Sequence, residues 1–114
     1  MEIKDRAFKY AVSIIKLVDV VPHNVACRII IHQLLRSATS IGANITEAQA
    51  SSSRREFTKY IGIALRSASE SLFWLKLLIE SQKLSHHICA EVLQETDELC
   101  KILGSSLLTL RNKR

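Results

Sequence analysis

Glycine and proline are scarce in this chain, three and one in 114 residues, which argues against an all-β fold with its frequent turns. The three cysteines, Cys27, Cys89 and Cys100, are odd in number and form no CxxC pair. Nothing in that set suggests a disulfide framework or a zinc site, and buried thiols in a reducing compartment are the expectation. No apolar run approaches the roughly 20 residues that a helix needs to cross a bilayer. The opening "MEIKDRAFKY" carries charge where a signal peptide needs an apolar core, so a cytoplasmic location is expected. His23, His32, His86 and His87 fit neither HExxH nor the Glu-x-x-His of di-iron bundles. There is no GxSxG elbow and no glycine-rich phosphate loop. A catalytic site, a metal site and a cofactor are therefore not expected, and His87 and Glu91, four apart, read as a surface pair.

What is present is helical periodicity on a scale that suits one domain, residues 1–114. A first segment, about Glu2 to Val21, places Ile3, Ala7, Phe8, Ala11, Ile14, Ile15 and Val18 inward, with Arg6, Lys9, Ser13 and Lys16 opposite. Pro22 stops it, because proline disfavours helix in the residue before it. Asn24 is placed to cap a second segment, Val25 to Ala50, whose apolar face runs Cys27, Ile30, Ile31, Leu34, Ala38, Ile41, Ile45 and Ala48. Ser53 and Glu56 have capping-box spacing and start a third segment near Arg54 that runs to about Ser81. Its core stripe is Phe57, Ile61, Ala64, Leu65, Ala68, Leu72, Leu75 and Ile79. "SQKLS" turns the chain, and Ser85 is placed to cap a fourth segment with Ile88, Val92, Leu99, Ile102, Leu103, Leu107 and Leu110 inward. The basic end "RNKR" complements a helix C-terminus. Short connections between four such segments predict an all-α, antiparallel up-down-up-down four-helix bundle.

Residues 36–57, "RSATSIGANITEAQASSSRREF", depart from this pattern by thinning to small side chains. Ser37, Ala38, Ser40, Gly42 and Ala43 would let another helix approach closely. A mid-helix glycine costs about 1 kcal/mol relative to alanine, so Gly42 implies a packing reason. The third segment carries a second apolar face beside its core stripe: Tyr60, Ile63, Ser67, Ser71, Trp74 and Leu78. An apolar arc wider than about 100° is more than one core-facing stripe, and Trp is enriched at interface hot spots. Gly42, Tyr60, Ile63 and Trp74 are candidate oligomer-interface residues. Asn44 and Glu47 join them, since a polar residue on an apolar face fixes register and association state. Glu47 is expected to pair with Arg36 or Arg55.

Charge supplies the other pattern. The net charge of +5 points toward an acidic partner. Arg55, Lys59, Gly62, Arg66, Ser69 and Lys76 share the side of the third segment opposite its core, with Arg36 and Arg54 nearby. Arginine binds phosphate bidentately and stays charged, so Arg36, Arg54, Arg55, Lys59 and Arg66 are candidate nucleic-acid contacts.

"LLRSATSIGANITEAQASSSRREFTKYIGIAL" followed by "ASESLFWLKLL" resembles the signature of the bacterial four helix bundle protein family. That family includes proteins encoded in intervening sequences of large-subunit ribosomal RNA genes and the accessory variability proteins of diversity-generating retroelements. The resemblance covers residues 34–78 closely, and Arg36, Ser40, Ile41, Asn44, Glu47, Glu56 and Phe57 fall on signature positions. It implies a small bundle assembled as a ring-like homopentamer. In the retroelement members a basic ring surface engages nucleic acid and a reverse transcriptase, which the resemblance implies as partners. The chain departs from many relatives in having "SIGANITEAQ" where they carry a proline and a glycine, and in its short "VPHNV" turn.

Together these readings predict a non-enzymatic homo-oligomer, a pentamer by resemblance, that binds RNA or DNA through a basic surface and has no membrane partner. The alternative is a protein-interaction scaffold without nucleic-acid affinity. A metal-dependent enzyme is disfavoured by the missing ligand spacings.

Overall fold

The computed structural model describes residues 1–112; Lys113 and Arg114, part of the basic end "RNKR", lie outside the described residues. The described chain forms α1 (Ile3–Val18), α2 (Val25–Ala50), α3 (Arg54–Glu80) and α4 (His86–Asn112). Each helix packs on its neighbours in sequence and α1 closes against α4, which leaves α1 diagonal to α3 and α2 diagonal to α4. Bonded pairs across α2 and α3 run Arg36 with Glu70, Ser37 with Ser71 and Ser40 with Ser67. From Ser37–Ser71 to Ser40–Ser67 one number rises as the other falls, so the two helices are antiparallel. The result is a four-helix bundle 48 Å long and about half as wide.

The helix starts are chemical. Asn24 Oδ1 accepts from Cys27 N at 3.0 Å, Ser53 Oγ from Glu56 N at 3.0 Å and Ser85 Oγ from Ile88 N at 3.2 Å. Each bond satisfies one of the orphan donors of a first turn. α1 stops at Val18, three residues short of the expected end; the chain turns ahead of Pro22, and Val21 tucks into the core. α3 ends in a Schellman motif, with Lys83 N donating to Leu78 O and Gln82 N to Ile79 O, both at 2.9 Å. Gln82 holds the left-handed position of that motif, φ 62°, where glycine is usual.

The core is built from Ile14, Leu34, Ile41, Ile45, Leu75, Leu78, Leu99 and Leu103, all sealed from solvent. Threaded through it are hydroxyls from all four helices. Thr96 Oγ1 donates to Val92 O at 2.6 Å, so its single proton is committed and Tyr10 is the donor in the 2.7 Å Tyr10–Thr96 bond. Ser71 similarly donates to Ser67 O, while Ser37 Oγ lies within hydrogen-bond distance of both Ser71 Oγ at 2.8 Å and Leu34 O at 3.2 Å, with one proton for the two contacts. Burial pushes the Tyr10 phenol up to about 12, partly offset by its hydrogen bond with Thr96. No buried side-chain polar atom among the described residues lacks a partner, as low-dielectric packing requires.

Three expected core residues are on the surface. Phe8, Ile15 and Ile88 are 69%, 50% and 52% exposed. The inward arc of α1 is centred on Ala7, Tyr10, Ile14 and Leu17, and Phe8 and Ile15 each follow a buried residue and so point about 100° away from it. In α4 the inward line runs through Cys89 and Thr96 rather than Ile88. Arg6, placed by periodicity on the solvent side of α1, reaches across to α4 and is partly covered.

Candidate nucleic-acid interface

The five cations singled out by spacing separate into three environments. Arg36 bonds Glu70, whose carboxylate also accepts from Trp74 Nε1 at 2.9 Å. Its charge is neutralised locally, and the expected Glu47–Arg36 pair does not form; Glu47 is exposed and enters no ion pair among the described residues. Arg54 donates to Leu110 O at 2.6 Å, which ties the start of α3 to the last turn of α4. There it satisfies a terminal carbonyl at the negative end of a helix dipole. Arg55, Lys59 and Arg66 remain exposed, with no acidic partner among the described residues.

Lys59 and Arg66 share a groove of about 510 Å³ between α3 and α4. Arg111, on the last turn of α4, completes its basic rim, and Thr58 stands beside it. The walls are Ile63, Leu65 and Leu107, and no carboxylate lines the groove. Lys59 Nζ also lies 5.3 Å from the centre of the Tyr60 ring, which helps to fix its direction. Gly62 sits in the middle, and a methyl group added there would meet nothing within 4 Å. Spacing found Lys59, Gly62 and Arg66 but not Arg111, which was read only as a helix-end complement; the α3–α4 register that brings it over has no local signal in sequence.

A second groove of the same volume, between α1 and α4, mixes both signs of charge, with Arg6 and Lys9 set against Glu91 and Glu95. Arg6 spans Glu95 at 2.5 Å and Glu98 at 3.2 Å, and Glu91 adds a further acid to the lining. The hydrogen bond to Glu95 raises the guanidinium pKa further and holds it protonated. That groove carries balanced charge and offers nothing to a polyanion.

The candidate interface residues are scattered. Gly42 lies in the α1–α2 seam, where an added methyl group would stand 3.6 Å from the Ala7 side chain, an ordinary contact. Asn44 Nδ2 donates to Ser40 O and Ser40 Oγ at 2.8 and 2.9 Å, and Ser67 Oγ donates to the same hydroxyl at 3.0 Å. The second apolar face of α3 divides: Ser67, Ser71 and Leu78 are buried in the monomer, while Tyr60, Ile63 and Trp74 are half-buried. Phe73, 57% exposed, packs edge-on against Trp74 with ring centres 4.9 Å apart. The three cysteines are unpaired, and burial pushes the Cys89 and Cys100 thiols up. Among the described residues no group of three or more His, Cys, Asp or Glu gathers to hold a metal, and no helix is long and apolar enough to cross a membrane.

These features define a small helical bundle with a groove on one helix pair whose rim is basic and holds no carboxylate. The model of the 23S rRNA-intervening sequence protein family matches residues 1–105. A crystal structure from Bacteroides thetaiotaomicron, described as a protein with unknown function from the S23 ribosomal protein family, superposes with a TM-score of 0.84. It shares 34% identity over 93% of this chain and 98% of its own. No curated protein matches the sequence. The chain belongs to the 23S rRNA-intervening sequence protein family.

Proposed function

We propose that this protein is a non-enzymatic homo-oligomer, a pentameric ring, that binds nucleic acid by its phosphates along α3 and the end of α4. The observation that carries the reading is the set Arg55, Lys59, Arg66 and Arg111, exposed on one side of the bundle without an acidic partner among the described residues. Phosphate contacts of this kind supply the sequence-independent part of nucleic-acid affinity. The oligomer is supported by exposed apolar residues on diagonal helices, Phe8 and Ile15 on α1 and Phe73 and Leu77 on α3. A closed ring needs two such different patches on each subunit. Repetition around a ring multiplies the cationic face. Three unpaired cysteines support a reducing, cytoplasmic setting.

Fluorescence anisotropy with labelled RNA and duplex DNA across a salt series tests the reading. Binding should weaken steeply as salt rises, and Lys59→Ala with Arg66→Ala should reduce the logarithmic slope by about 1.4 to 1.8. Absence of binding at low salt, with the oligomer intact, would favour instead a protein-interaction scaffold, a reading supported by the exposed Phe73–Trp74 edge.

A further inference from the structure

The α3–α4 groove has a shape that a row of surface cations does not need. Its rim is basic, its walls are aliphatic and its midpoint is Gly62, where the space for a side chain stands open. Lys59 and Arg66 are two turns apart on α3, about 10 Å, and they flank Gly62 rather than converge on one point. That separation suits successive charges of an extended polyanion better than one small anion. Between them, a flat group can lie over Gly62 and against Leu107. The volume of about 510 Å³ falls within the usual range for a small-ligand site.

We infer that the groove takes single-stranded nucleic acid, with consecutive phosphates on Lys59, Arg66 and Arg111 and one base inserted over Gly62. The inference rests on the proposed nucleic-acid function and names its substrate. A duplex keeps its bases stacked inside and offers the rim only phosphates. A single strand offers phosphates and a free base to the same groove, so it gains a contact that a duplex cannot make. A base laid against aliphatic walls buries apolar surface and offers no hydrogen-bond readout of its edge, so the groove selects strandedness rather than sequence.

Gly62→Leu fills the groove without touching a charge, and Gly62→Ala fills it in part. Wild type should bind a labelled oligouridine about tenfold more tightly than a duplex of equal length, the affinity gained by burying roughly 55 Å² of apolar surface. Gly62→Leu should lose that preference by weakening the single strand alone, with a melting temperature at or above that of wild type, and Gly62→Ala should fall between. A 4-thiouridine oligomer should photo-cross-link in wild type to the peptides that contain Gly62 and Leu107. Unchanged single-strand affinity in Gly62→Leu, or cross-links confined to other helices, would overturn the groove assignment while salt-dependent binding leaves the wider function standing. No binding of either strand form at low salt would overturn both.

Discussion

Replacing Tyr10 with phenylalanine removes one oxygen from the centre of the bundle. Thr96 keeps its own 2.6 Å bond to Val92 O, so the substitution leaves no orphaned hydroxyl there. The loss at neutral pH is then that of one net hydrogen bond, about 1 kcal/mol. Ionisation changes the balance at high pH. The buried phenol is pushed up to about 12, against about 10 in an unfolded chain. Below pH 10 both states hold the proton and titration contributes nothing. Between pH 10 and 12 the unfolded chain releases its proton first, so wild type loses stability as pH rises. The loss reaches about 1.4 kcal/mol at pH 11, which exceeds the value of the bond. Tyr10→Phe has no such group. It should be the less stable protein at pH 7, match wild type near about pH 10.7 and be the more stable one above that. Denaturant titrations of both proteins followed by circular dichroism at pH 7, 9, 10 and 11 measure this directly. Lysine titration is common to both and cancels in the difference. A stability difference that stays constant from pH 7 to 11 would refute the argument, because it would mean that the phenol is solvated in the native state.

Three further outcomes follow from particular residues. Gln82→Gly should stabilise the protein by about 1 kcal/mol, because it removes a side chain from a left-handed backbone position; a lower melting temperature would show that the Gln82 side chain contributes more than its strain costs. Leu99→Ala should cost about 2 to 5 kcal/mol in denaturant unfolding, as expected for a fully enclosed leucine; a cost below that range would mean the site collapses around the loss. Phe8→Asp and Phe73→Asp, both at exposed positions, should each keep the helical circular dichroism signal and reduce the light-scattering mass toward the monomer. An unchanged mass in both would remove these faces from the assembly.

The parts of the fold legible in sequence were those with local causes. Asn24, Ser53 and Ser85 mark helix starts because a capping side chain acts within three residues of itself. α2 follows its apolar face from Val25 to Ala50 as periodicity predicts. The phase of α1 was harder, since Ala7, Phe8, Ile14 and Ile15 support two adjacent inward arcs, and the choice is made by Tyr10 finding Thr96 on α4. The Schellman end of α3 was hidden by a glutamine where glycine would have announced it. At the candidate site, spacing along one helix was enough to join Lys59 to Arg66. It was not enough to place Arg111 beside them or to pair Arg36 with Glu70, because both depend on the register between helices. Antiparallel packing sets Arg36 opposite Glu70 across a sequence distance that no local pattern encodes.

The first helix is short. α1 has 16 residues against 27 in α3 and α4, about 24 Å beside about 40 Å. Its bonds to α4 reach Glu98 and go no nearer the C-terminus among the described residues. Beyond that point α4 leans on α3, held at its end by Arg54, and Leu108 stands 62% exposed with no fourth helix to cover it. Backbone amides there should exchange with solvent faster than those near Tyr10, because fewer contacts must break to open them. The cationic groove is built on this more weakly braced half. A strand seated in it would therefore slow exchange in α4 from Leu107 onward before it altered the global unfolding of the bundle, and occupancy would be recorded as a local change in protection.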